Sequence, residues 1–235
     1  GMALACQTTV DGDVVVEIPL ESRVSGVPQL TSADAVRFGH VTELIGDQAA
    51  FPYKPLCRKK FLQLPPPSIS DCLPDQERLF REVLRIYPAT VMQIGLSVLR
   101  RLAEVVRGAD WKVTALLGQR GKTLEVVDIE PGDTSGNNFG VAVDIGTTTV
   151  VAHLVNINNS TTVATKAKYN SQIPFGEDVI SRIMCASTPE RREQMKDIIV
   201  DDINDLIIAL VMDANIRLHD VNYVVCAGNT TMIHM

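Results

Sequence analysis

The sequence predicts a mixed α/β and α+β protein in two parts. A small β-α-α-β-β domain spans residues 55–130, and a β-β-β-α-β unit spans 139–235. Three observations carry this reading. Residues 139–156 form two β-branched apolar runs around Asp144-Ile145-Gly146 and three threonines, the pattern of strand, tight polar turn, strand. Leu79, Phe80, Val83, Leu84 and Tyr87 recur at the spacing of an amphipathic helix that Pro88 stops. A broad apolar stripe then runs from Met195 to Leu218 and precedes a short buried-type strand, Asn222 to Cys226.

Within the first domain, Lys59 to Leu64 can form a strand, which Pro65-Pro66-Pro67 ends because proline lacks a ladder donor. Asp75 to Tyr87 is the first helix. A second runs to Gly108 with Leu99, Leu102, Val105 and Val106 inward; it starts at Thr90, or at Ser97 after the break at Gly95. Trp111 to Leu117 and Leu124 to Ile129 are two strands around a turn. That turn, Gly118 to Thr123, ends like a nucleotide P-loop, but the position five before Gly121 is Leu116, not glycine. It also lies between strands, with no helix N-terminus to face a phosphate. It reads as a hairpin.

Pro131 to Asn138 is a Gly/Asn/Ser/Asp-rich boundary. After the hairpin of 139–156, Thr161 to Lys168 is a third strand. The latter half of Asn170 to Met184 is helix-like, with Val179, Ile180 and Ile183 expected inward. Thr188, Pro189 and Glu190 supply a cap, an N1 proline and a capping-box acid for the long helix. Its stripe is core rather than a cofactor contact.

The chemistry sits at the Asp144 to Thr149 turn. One carboxylate, one glycine and several hydroxyls and free N–H groups suit phosphate and a hydrated metal ion. Asp144 can hold Mg²⁺ through water, and Gly146, Thr147, Thr148 and Thr149 can cradle phosphate. The competing reading is an ordinary Thr-rich hairpin turn. At the other end, Gly228, Asn229 and Thr230 follow the last strand, where α/β ligand sites form. Asn229 either bonds a ligand or caps a following helix.

Composition narrows the function classes. The 235 residues are 46% hydrophobic and 21% charged, a globular balance, and no apolar run approaches the roughly 18 residues of a membrane span. No secretory signal is present. With 22 basic against 28 acidic residues the formal charge is −6, which argues against a nucleic-acid binder. Five cysteines, odd in number and without C-x-x-C spacing, point to a reducing cytoplasm. Residues 21–54 read as a linker, in which His40 has no partner at metal-ligand spacing. Taken alone, Cys6 reads as a small buried hydrophobe.

The Asp-Ile-Gly-Thr-Thr-Thr loop resembles the first phosphate loop of the actin, sugar-kinase and Hsp70-type ATPases, where it joins two strands of a ribonuclease-H-like subdomain. Four stretches in order narrow the resemblance: LACQTTVDGDVVVEIP, FLQLPPPSISD, VAVDIGTTTVVAHL, and NSQIPFGEDVISRI with CAGNTTM. Together they resemble the reductive activators of corrinoid proteins. The resemblance implies a cytoplasmic protein with a [2Fe–2S] ferredoxin-like domain whose tail is residues 1–20. It further implies the linker, a middle domain at 55–130, and the N-terminal part of an actin/Hsp70-like ATPase domain at 139–235. Cys6 would be the fourth cluster ligand, the other three coming from a C-x₄-C-x₂-C run absent from this sequence.

The implied activity is ATP- and Mg²⁺-dependent transfer of an electron from the cluster to a corrinoid protein, Co(II) to Co(I), by a homodimer, with Asp144 the candidate catalytic residue. The chain is read as a piece of a longer protein, expected by itself neither to hydrolyse ATP appreciably nor to assemble a cluster. Two alternatives stay open: a small-molecule kinase of the same superfold, and a corrinoid-protein docking module with regulatory nucleotide binding.

Overall fold

The computed structural model describes residues 54–89 and 91–234, together with Gly12 and Val15. The expectations for Cys6 and for all of the 21–54 linker but Lys54 lie outside these residues.

Residues 57–131 fold around one four-stranded sheet, in the order β1-β3-β4-β2. β1 (Cys57–Gln63) pairs antiparallel with β3 (Lys112–Arg120), and β3 with β4 (Thr123–Pro131). The helices α1 (Asp75–Ile86) and α2 (Leu96–Gly108) bury Leu79, Val83, Val98, Leu102 and Val106 against Val113, Ala115, Leu117, Val126 and Ile129. The expected β-α-α-β-β order holds with one strand added. Val91–Ile94 is β2, pairing parallel with β4, so α2 starts at Leu96 rather than at Thr90. Leu99, expected inward, is 38% exposed; Val98 takes the inward position. The expected turn at Gly118 to Thr123 is tighter than that: β3 runs on through Arg120 and β4 begins at Thr123, so Gly121 (φ 60°) and Lys122 alone make the hairpin turn.

The FLQLPPPSISD stretch is held by Arg78, whose side chain is fully buried in α1. Its Nη1 donates to the Pro65 carbonyl and to Asp71 Oδ2, both at 2.9 Å, and its Nη2 to the carbonyls of Asp71 and Leu73. An arginine at a helical core position thus satisfies the loop carbonyls that proline-rich backbone cannot pair in a sheet.

Residues 139–234 form the second sheet, in the order β7-β6-β5-β8. β5 (Phe139–Ile145), β6 (Thr149–Asn156) and β7 (Thr161–Tyr169) make an antiparallel meander. β8 (Val221–Gly228) adds parallel to β5 on its other side. Three antiparallel strands, then helix, then a parallel strand beside the first is the ribonuclease-H-like order. The inward side chains Val141, Val143, Ile145, Val150, Ala152 and Leu154 pack against Ile199, Leu206 and Leu210 of α4 (Pro189–Asp213). Thr188 caps α4, and Pro189 occupies its N1 position. The helix ends at Asp213, with Asn215 at φ 51°, so Leu218 leaves the expected stripe for a 3₁₀ turn and is 58% exposed.

One short helix turns the other way from the expectation. In α3 (Val179–Cys185), Ile180 and Ile183 are 71% and 53% exposed, while Arg182 faces inward and is fully buried. Hydrophobicity alone points the wrong face of this helix at the core, because the inward space is polar.

Candidate functional site

Parallel pairing of β5 with β8 sets Asp144 beside Ala227 and Ile145 beside Gly228. The Asp144–Thr149 turn and the Gly228–Thr230 segment therefore meet at one end of the sheet, at the carboxyl ends of two parallel strands. Asp144 shares the sheet face opposite α4 with Ala142 and His153 and is exposed. Gly228 is closely packed: a Cβ there would lie 3.1 Å from the Ile145 carbonyl and 3.4 Å from Met232 Cβ.

The turn closes through a hydrogen bond from Gly146 N–H to the Thr149 carbonyl at 3.0 Å. A Cβ on Gly146 would stand 2.5 Å from that same oxygen, so only glycine fits.

The carbonyls of the turn are all claimed from beneath. Asn170 Nδ2 donates to the Gly146 oxygen at 2.9 Å, and Asn170 N–H to the Thr148 oxygen at 2.8 Å. Arg182 Nη2 donates to the Thr147 oxygen at 2.5 Å. A trans peptide holds its C=O and the following N–H on opposite sides. Anchoring the Gly146 and Thr147 carbonyls inward therefore turns the N–H groups of Thr147 and Thr148 outward. Neither N–H has a protein acceptor among the described residues, and Thr148 is exposed. Two outward, unpaired amides beside an exposed carboxylate are suited to phosphate oxygens and a hydrated cation.

Of the two expectations for Asn229, the structure shows the helix cap, and it adds a bond to the turn. Its Oδ1 accepts from Met232 N–H at 3.0 Å, capping α5 (Thr230–His234), and its Nδ2 donates to Thr147 Oγ1 at 3.3 Å. It holds the turn from the β8 side. Thr230 is exposed at the first position of α5, and Thr149 begins β6.

Sequence reasoning missed the layer beneath the turn. Gln172, buried, donates through Nε2 to the Met195 carbonyl at 2.8 Å and accepts from Arg182 Nη1 at 3.3 Å. Ser171 N–H and Oγ each donate to the buried Asp202 of α4 at 2.8 Å. Lys168 closes an ion pair with Asp202 at 2.6 Å. Burial works to lower the Lys168 ammonium, but Asp202 and Asp205 outweigh it and hold the group above its usual value. Burial depresses the Arg182 guanidinium, with Asp178 opposing in part. The signal for this layer was the run of polar residues Asn170, Ser171 and Gln172 directly after a strand, too small to fill a core yet too regular for a solvated loop.

A second polar cluster lies elsewhere, at the seam between the two units. Asp128, Glu130 and His219 bring ligand-type atoms within 4.8 Å of one another. The buried Lys59 ammonium already stands 2.7 Å from Glu130 Oε1, and Arg101 pairs with Asp128. These cations neutralise the carboxylates, so the cluster is an ion-pair network and not a metal centre.

Two family models match the chain: one described as the RACo linker region over residues 46–136, and one described as the RACo middle region over 139–235. The corrinoid activation enzyme RamQ of Eubacterium limosum is 32% identical over 159 residues, covering 66% of this chain and 26% of that protein. A solved structure of a reductive activator for a corrinoid, iron–sulfur protein superposes with a TM-score of 0.70 at 29% identity. That match covers 93% of this chain and 34% of the other. The chain thus spans about a quarter of the length of the curated relative and a third of that of the solved structure.

Proposed function

The chain belongs to the RACo family of reductive activators of corrinoid proteins, and from that premise we propose that residues 139–235 supply the first phosphate-binding jaw of an ATPase domain in such an activator. The observation that carries the reading is the peptide orientation at Gly146 to Thr148. Three carbonyls are fixed inward, and the Thr147 and Thr148 amides face out beside Asp144.

In this reading Thr147 and Thr148 donate N–H groups to phosphate oxygens, with the hydroxyls of Thr148 and Thr149 in support. Asp144 would hold a hydrated Mg²⁺, and Gly146 keeps the turn tight enough for close approach. Hydrolysis of bound ATP by water to ADP and phosphate would supply the free energy, with Mg²⁺ offsetting the phosphate charge. The chain can use that energy only if its nucleotide-bound and nucleotide-free forms differ in affinity for the partner or in conformation. The partner is a corrinoid protein stalled as Co(II), which gains one electron to become Co(I). The electron would come from a [2Fe–2S] cluster, reduced beforehand, with Cys6 as one of its four cysteine ligands. The described cysteines, Cys57, Cys72, Cys185 and Cys226, are all free and do not form a ligand set. A homodimer in the cytoplasm completes the proposal; among the described residues no helix is long and apolar enough to cross a membrane.

ATP turnover by the full-length activator, measured with and without a Co(II) corrinoid protein, tests this. The expected result is turnover stimulated by the partner, with loss of the Co(II) absorbance. Asp144→Asn should lower turnover by roughly a hundredfold. Phosphorylation of a small metabolite, or binding without any turnover, would overturn the reading.

A further inference from the structure

Arg182 combines three properties that a merely structural arginine does not need together. It is fully buried. It makes no ion pair with any carboxylate among the described residues; Asp178 acts on it electrostatically without pairing. Its planar fork reaches three separate segments: Nε donates to the Gly176 carbonyl at 2.8 Å, Nη1 to Gln172 Oε1 and towards Met232 Sδ, and Nη2 to the Thr147 carbonyl. A buried cation without a counter-ion is costly. Here the cation sits directly behind the peptide whose N–H faces outward.

We propose that Arg182 is the positioning residue of the phosphate loop: it fixes the Thr147–Thr148 peptide with its N–H outward, and its unneutralised charge favours an anion on the far side of that peptide. This rests on the phosphate-binding reading of the loop. The same guanidinium touches Met232 in the helix after β8 and, through Gln172, the Met195 turn of α4. The loop, α4 and the end of β8 therefore share one anchor. Lysine could not replace it, because a single ammonium cannot reach acceptors on opposite sides of a planar fork.

The test uses the ¹⁵N-labelled 235-residue chain with magnesium tripolyphosphate as the probe, comparing wild type, Arg182→Met and Arg182→Lys. Without ligand, the wild-type Thr148 amide should exchange rapidly with solvent, and the probe should shift the Thr147 and Thr148 amide signals. The Met variant should move the Thr148 amide signal in the absence of ligand and bind the probe at least roughly tenfold more weakly. The Lys variant should fall between. If Arg182→Met does not fold, the same readouts are taken on Arg182→Lys.

A folded variant that binds within twofold of wild type with an unmoved Thr148 signal would overturn the assignment. So would a Thr148 amide already protected in the wild type without ligand. If the wild type does not bind the probe, the phosphate reading itself fails. The positioning role is then decided separately, by whether the Thr148 signal moves in the variants.

Discussion

His153 shows how a single side chain reports on the candidate site. It pairs across the sheet with Ala142, two residues before Asp144, and its Nδ1 lies 2.9 Å from Thr165 Oγ1. Burial pushes its pKa below the usual imidazole value, and Asp144 pulls it back only in part. A base whose folded pKa is depressed binds fewer protons folded than unfolded, so its contribution is present above the unfolded value and is lost as pH falls through the folded one. Lowering pH from 8 towards 5 should therefore reduce stability through this group. Urea unfolding of His153→Gln across that range should show a shallower slope than wild type. The residues of the turn itself were legible in sequence, because a carboxylate, a glycine and hydroxyls in one short loop leave few other uses. Arg182 was not, since an arginine among Val179, Ile180 and Ile183 reads as the solvent side of an apolar helix. What inverts that reading is the set of loop carbonyls needing donors, and these exist only once the chain has folded.

The elements differ in how far local pattern determines them. α4 is read correctly along most of its length because its apolar stripe, Met195 to Val211, repeats for about four turns and has one sheet to meet. Leu210, fully buried in the core beneath this sheet, should cost about 2–5 kcal/mol when cut to alanine, measured by chemical denaturation. Met212, 75% exposed at the end of the same helix, should cost little. β2 was illegible for the opposite reason. Four residues between Thr90 and Gly95 carry no periodicity, and their strand conformation is imposed by parallel pairing with Val126 and its neighbours some 30 residues on. Short elements held by distant partners are written in the partner's sequence as much as in their own.

At the scale of the molecule, the two sheets are joined through charge. Lys59 of β1, its side chain fully buried, lies 2.7 Å from Glu130 at the end of β4 and 3.8 Å from Asp220 at the start of β8. Arg217 braces Asp220 at 2.7 Å, and His219 approaches Glu130 at 3.4 Å. Burial works to raise both carboxyls, but the Lys59 ammonium paired with Glu130 and the hydrogen bond from Arg217 to Asp220 hold them below the usual range. Their stabilisation is thus present at neutral pH and lost as pH falls through the acid range. Lys59→Met leaves the buried Glu130 carboxylate without its cation and should cost roughly 3–5 kcal/mol. Calorimetry should show the whole chain, and not one sheet alone, melting earlier. Lys59 was read in sequence as the start of a strand and no more, because its partners lie 71 and 161 positions away.

The parallel pairing of β5 with β8 also orders events in time. Phe139 meets Val221 across 82 residues, whereas β5, β6 and β7 meet their neighbours through short turns. Contacts so distant in sequence close late, after the local meander has formed. Asn229 and Met232 follow β8, so the Asp144–Thr149 turn and its Arg182 anchor lack the contacts of these two residues until β8 docks. During synthesis, the loop can gain its full set of anchors only after the ribosome has released residue 232. A nascent chain that has carried every residue of the loop for 83 codons, from Thr149 to Met232, still lacks the last of its anchors.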